Sequence, residues 1–186
     1  MEQPVPANCD FNRRRFLRWG VAAVAASLPT PSWAAALGTG QRRLSFDNLH
    51  TDETLTALYW ANGSYQHNAV QDINHLLRDF RTGDVHAIDL RLLDLLYTLQ
   101  HRVKSQSPFQ VISGYRSPAT NAKLAALSDG VAHNSYHMRG MAVDIALADS
   151  ALPALHQAAL SLRAGGVGFY PKPGFVHVDV GPVRTW

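Results

Sequence analysis

Cysteine is almost missing from this chain: Cys9 is the only one in 186 residues. A domain built from the remaining residues can form neither a disulfide nor a thiolate metal site. Any metal it holds falls to His, Asp or Glu, ligand types associated with catalytic rather than structural zinc. Glutamate is nearly as scarce, since Glu53 is the only one beyond residue 34. That excludes a metallopeptidase of the His-Glu-x-x-His kind. Long apolar runs are also missing. The run Val21–Leu28 reaches less than half of the ~20 residues that a membrane-spanning helix needs, so no membrane span is expected in the mature form. Internal repeats and low-complexity tracts are absent too, which excludes a solenoid.

What precedes the domain is distinctive. "NRRRFLRWG" (residues 12–20) is basic, "VAAVAASL" is apolar, and Pro29, Pro31 and "SWAAA" follow. Ser32 and Ala34 suit the small-residue rule for signal cleavage. The order Arg13-Arg14-Arg15-Phe16-Leu17-Arg18 looks like a twin-arginine export signal. Residues 1–34 are therefore expected to be a signal peptide and 35–186 the mature domain, exported to the periplasm. Removing the signal takes away four of the 17 basic and two of the 14 acidic residues, leaving a formal charge of +1. The basic character belongs mostly to the signal, so no nucleic-acid footprint remains.

The mature part mixes strand and helix patterns. "RRLSFDNLH" and "TLTALYW" alternate around a turn-like "TDE" and predict a hairpin. Helical spacing runs from Asn68 to Phe80, where "RTGD" follows, and again from Asp89 to Lys104. "PFQVIS" reads as a strand, and "SPATNAKLAAL" as a helix with Ser117 as its cap. "GMAVDIAL", "VGFY" and "FVHVDV" are strands, with a helix in "ALPALHQAALSLRAGG" closed by glycines. Regular βαβ alternation is missing. The expected class is α+β, with a mainly antiparallel sheet and helices packed against it.

Chemistry concentrates in two places. His137 stands in the turn-rich "HNSYHMRG", and Asp144 lies inside an apolar strand, where a carboxylate is costly unless it meets a cation or several donors. In "FVHVDV", His177 and Asp179 share one strand face while Val176, Val178 and Val180 take the other. If the two strands are neighbours, His137, Asp144 and His177 can converge on a tetrahedral ion. Nickel, cobalt and copper would accept that set as well as Zn2+. Taken singly, each group also has a plain structural reading. His177 and Asp179 form a common kind of hydrogen-bonded surface pair, and His137 could cap a turn.

The stretch Ser135-Tyr-His137-Met-Arg-Gly140-Met-Ala142-Val-Asp144 resembles the S-x-H-x-x-G-x-A-x-D motif of zinc peptidases related to D-Ala-D-Ala peptidases and the hedgehog signalling domain. "VISGYRSP", "LSLRAGGVGFYP" and "FVHVDVGPVRTW" are similar to the murein endopeptidase K family within that superfamily, and the likeness covers nearly the whole chain. The resemblance implies a hedgehog/DD-peptidase-like fold, a zinc metallopeptidase domain over 35–186, and Zn2+ held by His137, Asp144 and His177. It implies peptidoglycan cross-linked stem peptides as substrate, cleaved between two diaminopimelate residues, with D-Ala–diaminopimelate bonds as a second class. Arg116 of "SGYRS" matches an arginine placed near the substrate, where a guanidinium would hold a carboxylate or polarise the scissile carbonyl.

The sequence departs from some relatives at the general base. They carry Glu or His just before the last histidine ligand, whereas Phe175 stands two residues before His177 here. Asp179 is the nearest replacement as a proton shuttle, or else a partner that orients His177. His133 and Asp129 are weaker candidates. Ser135 is assigned a supporting or turn-forming role. Two other functions compete: a carboxypeptidase trimming stem-peptide ends, and a catalytically silent, zinc-containing wall-binding module.

Overall fold

The computed structural model describes residues 40–127 and 132–186. The expected signal, residues 1–34, and the candidate Asp129 lie outside the described residues. The hairpin forms as its alternation predicts, from β1 (Arg42–Asn48) and β2 (Glu53–Ala61), and a two-residue β3 (Ser64–Tyr65) extends it. Helices α1 (His67–Leu76) and α2 (Leu90–Val103) follow, then β4 (Phe109–Ser113) and α3 (Pro118–Leu127). A 3-10 turn at Tyr136–Arg139 leads into β5 (Ala142–Leu147). The chain closes with α4 (Leu152–Leu162), β6 (Gly166–Tyr170), β7 (Phe175–Asp179) and β8 (Arg184–Thr185).

The described strands make one sheet in the order β3-β2-β1-β4-β5-β7-β6-β8. The class is α+β, but the sheet is mixed rather than mainly antiparallel: β1 runs parallel to β4, and β6 to β8. Topology accounts for both exceptions. Two helices carry the chain from the hairpin back to β4, which allows a parallel return. Strand β7 is already seated antiparallel between β5 and β6. The chain leaving it turns back to the far side of β6, in the direction of β6 itself.

Apolar side chains of the sheet and of α1, α2 and α4 form one core, with Phe46, Tyr59, Leu96, Phe109, Ile145 and Leu155 fully buried. Helix α2 begins as its sequence predicts, with the Asp89 carboxylate accepting the Arg91 N–H. Helix α1 stops four residues earlier than its spacing predicts. Asp79 is the reason: its buried carboxylate accepts from the backbone N–H of Arg81 (3.0 Å) and Ser117 (2.9 Å). The local bond to Arg81 competes with the helical ladder, and the bond to Ser117 ties the turn to the loop before α3. The result matters for the site, because Asp79 thereby anchors the loop that carries Arg116.

One polar knot interrupts the leucine face of α2. Asp94 is 7% exposed and accepts from Arg42 Nη1 (2.8 Å), Tyr59 Oη (3.0 Å) and Tyr65 Oη (2.7 Å). Burial, reinforced by this carboxylate, pushes both tyrosine hydroxyls far up. Asp94→Ala removes the acceptor shared by all three groups and is expected to cost about 3–5 kcal/mol. Equilibrium urea unfolding measures this, and a loss of less than about 1 kcal/mol, the scale of an exposed pair, would contradict it.

Candidate active site

The site is built on a strand pair and the loops at its end. β5 and β7 are antiparallel neighbours, with Asp144 directly opposite His177 and Ala142 opposite Asp179. Val143 and Ile145 point to the core, as do Val176 and Val178. The polar residues therefore share the other face. His137 arrives from the 3-10 turn, where Ser135 caps the start by accepting the His137 N–H and Gly140 closes the end at φ 63°. A Cβ on Gly140 would stand 2.3 Å from the Ala87 carbonyl oxygen, so only glycine fits there.

His137, Asp144 and His177 are all buried, and their functional atoms meet. His177 Nδ1 is 2.9 Å from Asp144 Oδ1 and 3.2 Å from His137 Nε2; the remaining side, His137 Nε2 to Asp144 Oδ1, is 3.3 Å. The far nitrogen of each ring decides what these atoms carry. His137 Nδ1 lies 2.8 Å from the Gly114 carbonyl oxygen, which can only accept, so Nδ1 holds the hydrogen. His177 Nε2 lies 3.1 Å from Asp179 Oδ2 and likewise donates. Burial opposes ionisation of Asp144, but the two imidazoles outweigh it and hold the carboxyl well below its ordinary range.

With those tautomers and both rings neutral, three lone-pair atoms face one another. This arrangement is repulsive unless a metal ion or an added proton sits among them. A tetrahedral ion with ligand bonds of about 2.0–2.1 Å spaces its ligands roughly 3.3 Å apart, which the observed triangle nearly matches. The donor set fits a metal ion. Burial disfavours the His177 imidazolium, yet Asp144 and Asp179 raise its pKa overall, so a proton competes with a metal for Nδ1.

Beside the triangle lies a cleft of about 440 Å³, walled by Arg116, Tyr136, Tyr170, Phe175, Arg184 and Trp186. That volume suits a short peptide segment. Arg116 reaches in from the loop after β4, with Nη2 3.8 Å from Asp144 Oδ2. Its guanidinium is steadied by Ser113 Oγ and Asn121 Oδ1, each at 3.3 Å, and its backbone N–H by the His137 carbonyl at 3.2 Å. Burial lowers its pKa against the opposing pull of Asp144, and guanidinium stays charged throughout.

A family model described as peptidoglycan L,D-endopeptidase MepK matches residues 36–186. The chain belongs to the MepK family. Peptidoglycan L,D-endopeptidase MepK of Escherichia coli strain K12 is 46% identical over 178 residues, covering 95% of this chain and 98% of that protein. The Shigella flexneri protein of the same name shows the same figures. A probable peptidoglycan L,D-endopeptidase MepK of Haemophilus influenzae is 39% identical over 179 residues, covering 95% and 96%.

Within this MepK-family site, four of the five expected residues (His137, Asp144, His177 and Arg116) line the cleft, and the fifth does not. Asp179 sits behind His177, fully buried, on the ring nitrogen that faces away from the triangle. His133 does not line the cleft either; its carbonyl accepts from Asn121. Among the described lining residues Asp144 is the only carboxylate. Sequence pattern assigns no role to Asn121, Asp79 or Arg184. Asn121 steadies Arg116 and the carbonyls of Ala132 and His133 at once, yet it looks like any polar residue of a helix. Asp79 carries a faint signal as an acid inside the apolar "LLRDF".

Proposed function

We propose that this chain is an exported, zinc-dependent peptidoglycan endopeptidase that hydrolyses peptide cross-links between stem peptides, above all diaminopimelate–diaminopimelate bonds. The observation that carries the reading is the close, buried triangle of His137 Nε2, Asp144 Oδ1 and His177 Nδ1 beside a peptide-sized cleft. Membership of a family whose curated members are peptidoglycan L,D-endopeptidases supports the substrate class. The three residues would hold Zn2+, which when bound supplies Lewis acidity and a water made nucleophilic near neutral pH.

The remaining tasks fall to the chain itself. Gly114 and Asp179 fix the imidazole tautomers so that both ligand lone pairs point inward. Arg116 takes up negative charge as it develops on the scissile carbonyl oxygen, since its fork is already oriented before substrate arrives. Tyr136, Tyr170, Phe175 and Trp186 shield the reacting bond from bulk water. Asp179 acts as the orienting partner of His177 rather than as the proton shuttle, because both its oxygens are engaged and neither reaches the cleft.

Residues 1–34 are proposed as a twin-arginine signal that delivers the domain, residues 35–186, to the periplasm, where its substrate lies. The basic cluster and short apolar run support this, and the family match begins just after the proposed cut. The same reading takes the architecture to be that of the hedgehog and D-Ala-D-Ala peptidase domains.

Purified muropeptide dimers test the function. Incubation with diaminopimelate-to-diaminopimelate and D-Ala-to-diaminopimelate dimers, followed by chromatography with mass detection, is expected to yield monomers, the first class fastest. Release of single amino acids would instead mark a carboxypeptidase. Intact dimers beside a folded, zinc-loaded protein would mark a silent wall-binding module.

A further inference from the structure

The carboxylate behind His177 is itself held by a residue of the cleft wall. Arg184, in β8, grips Asp179 with both outer nitrogens: Nη1 to Oδ1 at 3.1 Å and Nη2 to Oδ2 at 2.7 Å. The backbone N–H groups of Gly166 (3.0 Å) and Gly181 (2.8 Å) complete the cradle on Oδ1. Asp179 has no exposure at all, while the Arg184 side chain is 38% exposed. Space for the fork is reserved in the sequence. A Cβ on Gly166 would stand 2.4 Å from Asp179 Oδ2 and 2.5 Å from Arg184 Nη1. The exposed side of Arg184 meets two aromatic rings of the cleft, with its guanidinium carbon 4.9 Å from the centroid of Tyr136 and 4.9 Å from that of Trp186. Trp186 in turn leans on His177, ring centroids 5.1 Å apart.

We propose that Arg184 is a positioning residue for the metal centre: through Asp179 it locks His177 with Nε2 protonated and Nδ1 turned toward His137 and Asp144. The inference rests on reading the triangle as a metal site. A fork on a carboxylate fixes the carboxylate plane as well as its charge. With that plane fixed, Oδ2 presents one acceptor direction to Nε2, and the ring cannot swing without breaking it. Seated between Tyr136 and Trp186, the guanidinium makes the ligand's setting part of the wall that substrate touches. Lysine would keep the charge beside Asp179 but not the plane.

Zinc affinity of the full chain, measured by competition with a chromophoric chelator, reads this directly, with the cobalt(II) absorption spectrum as a report on coordination geometry. Arg184→Lys keeps a cation at the buried carboxylate and so preserves the fold; Arg184→Gln removes it. Partners behind a ligand typically change metal affinity by about 10–100-fold. We expect a loss near the low end for Arg184→Lys and near the high end for Arg184→Gln, with an altered cobalt spectrum in both. Adding Asp179→Asn to Arg184→Gln is expected to cost little more than either change alone, because both act along one path. Folded Arg184→Lys and Arg184→Gln proteins that bind zinc as tightly as the parent, with its cobalt spectrum, would overturn the proposal and leave the metal centre standing. A parent chain that binds no zinc would overturn the metal centre itself.

Discussion

Asp144→Ala is expected to remove zinc binding and cross-link hydrolysis together while the fold persists. Asp144 is the only anion in the triangle, and it lies 2.9 Å from His177 Nδ1 and 3.3 Å from His137 Nε2. Without it two neutral imidazoles remain, and neither balances the charge of a divalent ion in a buried setting. The affinity loss should exceed the roughly 10–100-fold that a supporting partner is worth. A bound metal supplies several kcal/mol of charge stabilisation in such reactions, so kcat/KM should fall by roughly 10³-fold or more. The strand itself should survive, because Val143 and Ile145 hold β5 to the core from the opposite face. Calorimetric zinc titration, muropeptide turnover and circular dichroism check the three parts. A folded variant that retains zinc and turnover would remove Asp144 from the ligand set.

Arg116→Ala is expected to show the complementary pattern, with turnover lost and metal kept. Its guanidinium approaches the triangle but contributes no ligand atom. Its Nη2 stands 3.8 Å from Asp144 Oδ2, the oxygen that does not face the imidazoles. Loss of one preorganised donor aimed at developing charge costs about 10²–10³-fold in kcat. Zinc affinity should stay near that of the parent. Arg116→Lys should recover only part of the rate, since an ammonium offers a point charge without the fork that Ser113 and Asn121 orient. Steady-state kinetics on cross-linked dimers, beside a zinc titration of each variant, separates the two effects. A kcat within about tenfold of the parent, a barrier change of only ~1.4 kcal/mol, would contradict a role for Arg116 at the reacting carbonyl.

Much of the site is legible in the amino-acid pattern alone. Asp144 and His177 stand out because each is a polar residue flanked directly by valine or isoleucine in its strand, and period-two alternation puts them on one face. Their direct pairing across β5 and β7 adds only the register. The long helix α2 and the hairpin follow from periodicity in the same way. The misses have a common cause. Strands β3 and β8 have two residues each, too few for any period to show. The parallel directions of β1/β4 and β6/β8 depend on where the chain returns, which no local pattern encodes. Helix α1 ends early where the Asp79 side chain bonds to the Arg81 N–H and also to Ser117, 38 positions away. Alternation places Asp179 correctly on the face of His177. Which side of the imidazole it occupies depends on rotamers and on Arg184, neither of which alternation specifies.

Metal removal and return tests the central claim most directly. Residues 35–186, the proposed mature domain, would be stripped with a chelator, assayed on diaminopimelate-to-diaminopimelate dimers, and then titrated with zinc while bound metal and turnover are followed together. The predicted result is no turnover in the stripped protein and a linear recovery that stops at one zinc per chain. Full turnover in the stripped, metal-free domain, or a folded domain that takes up one zinc and still leaves every dimer intact, would contradict it.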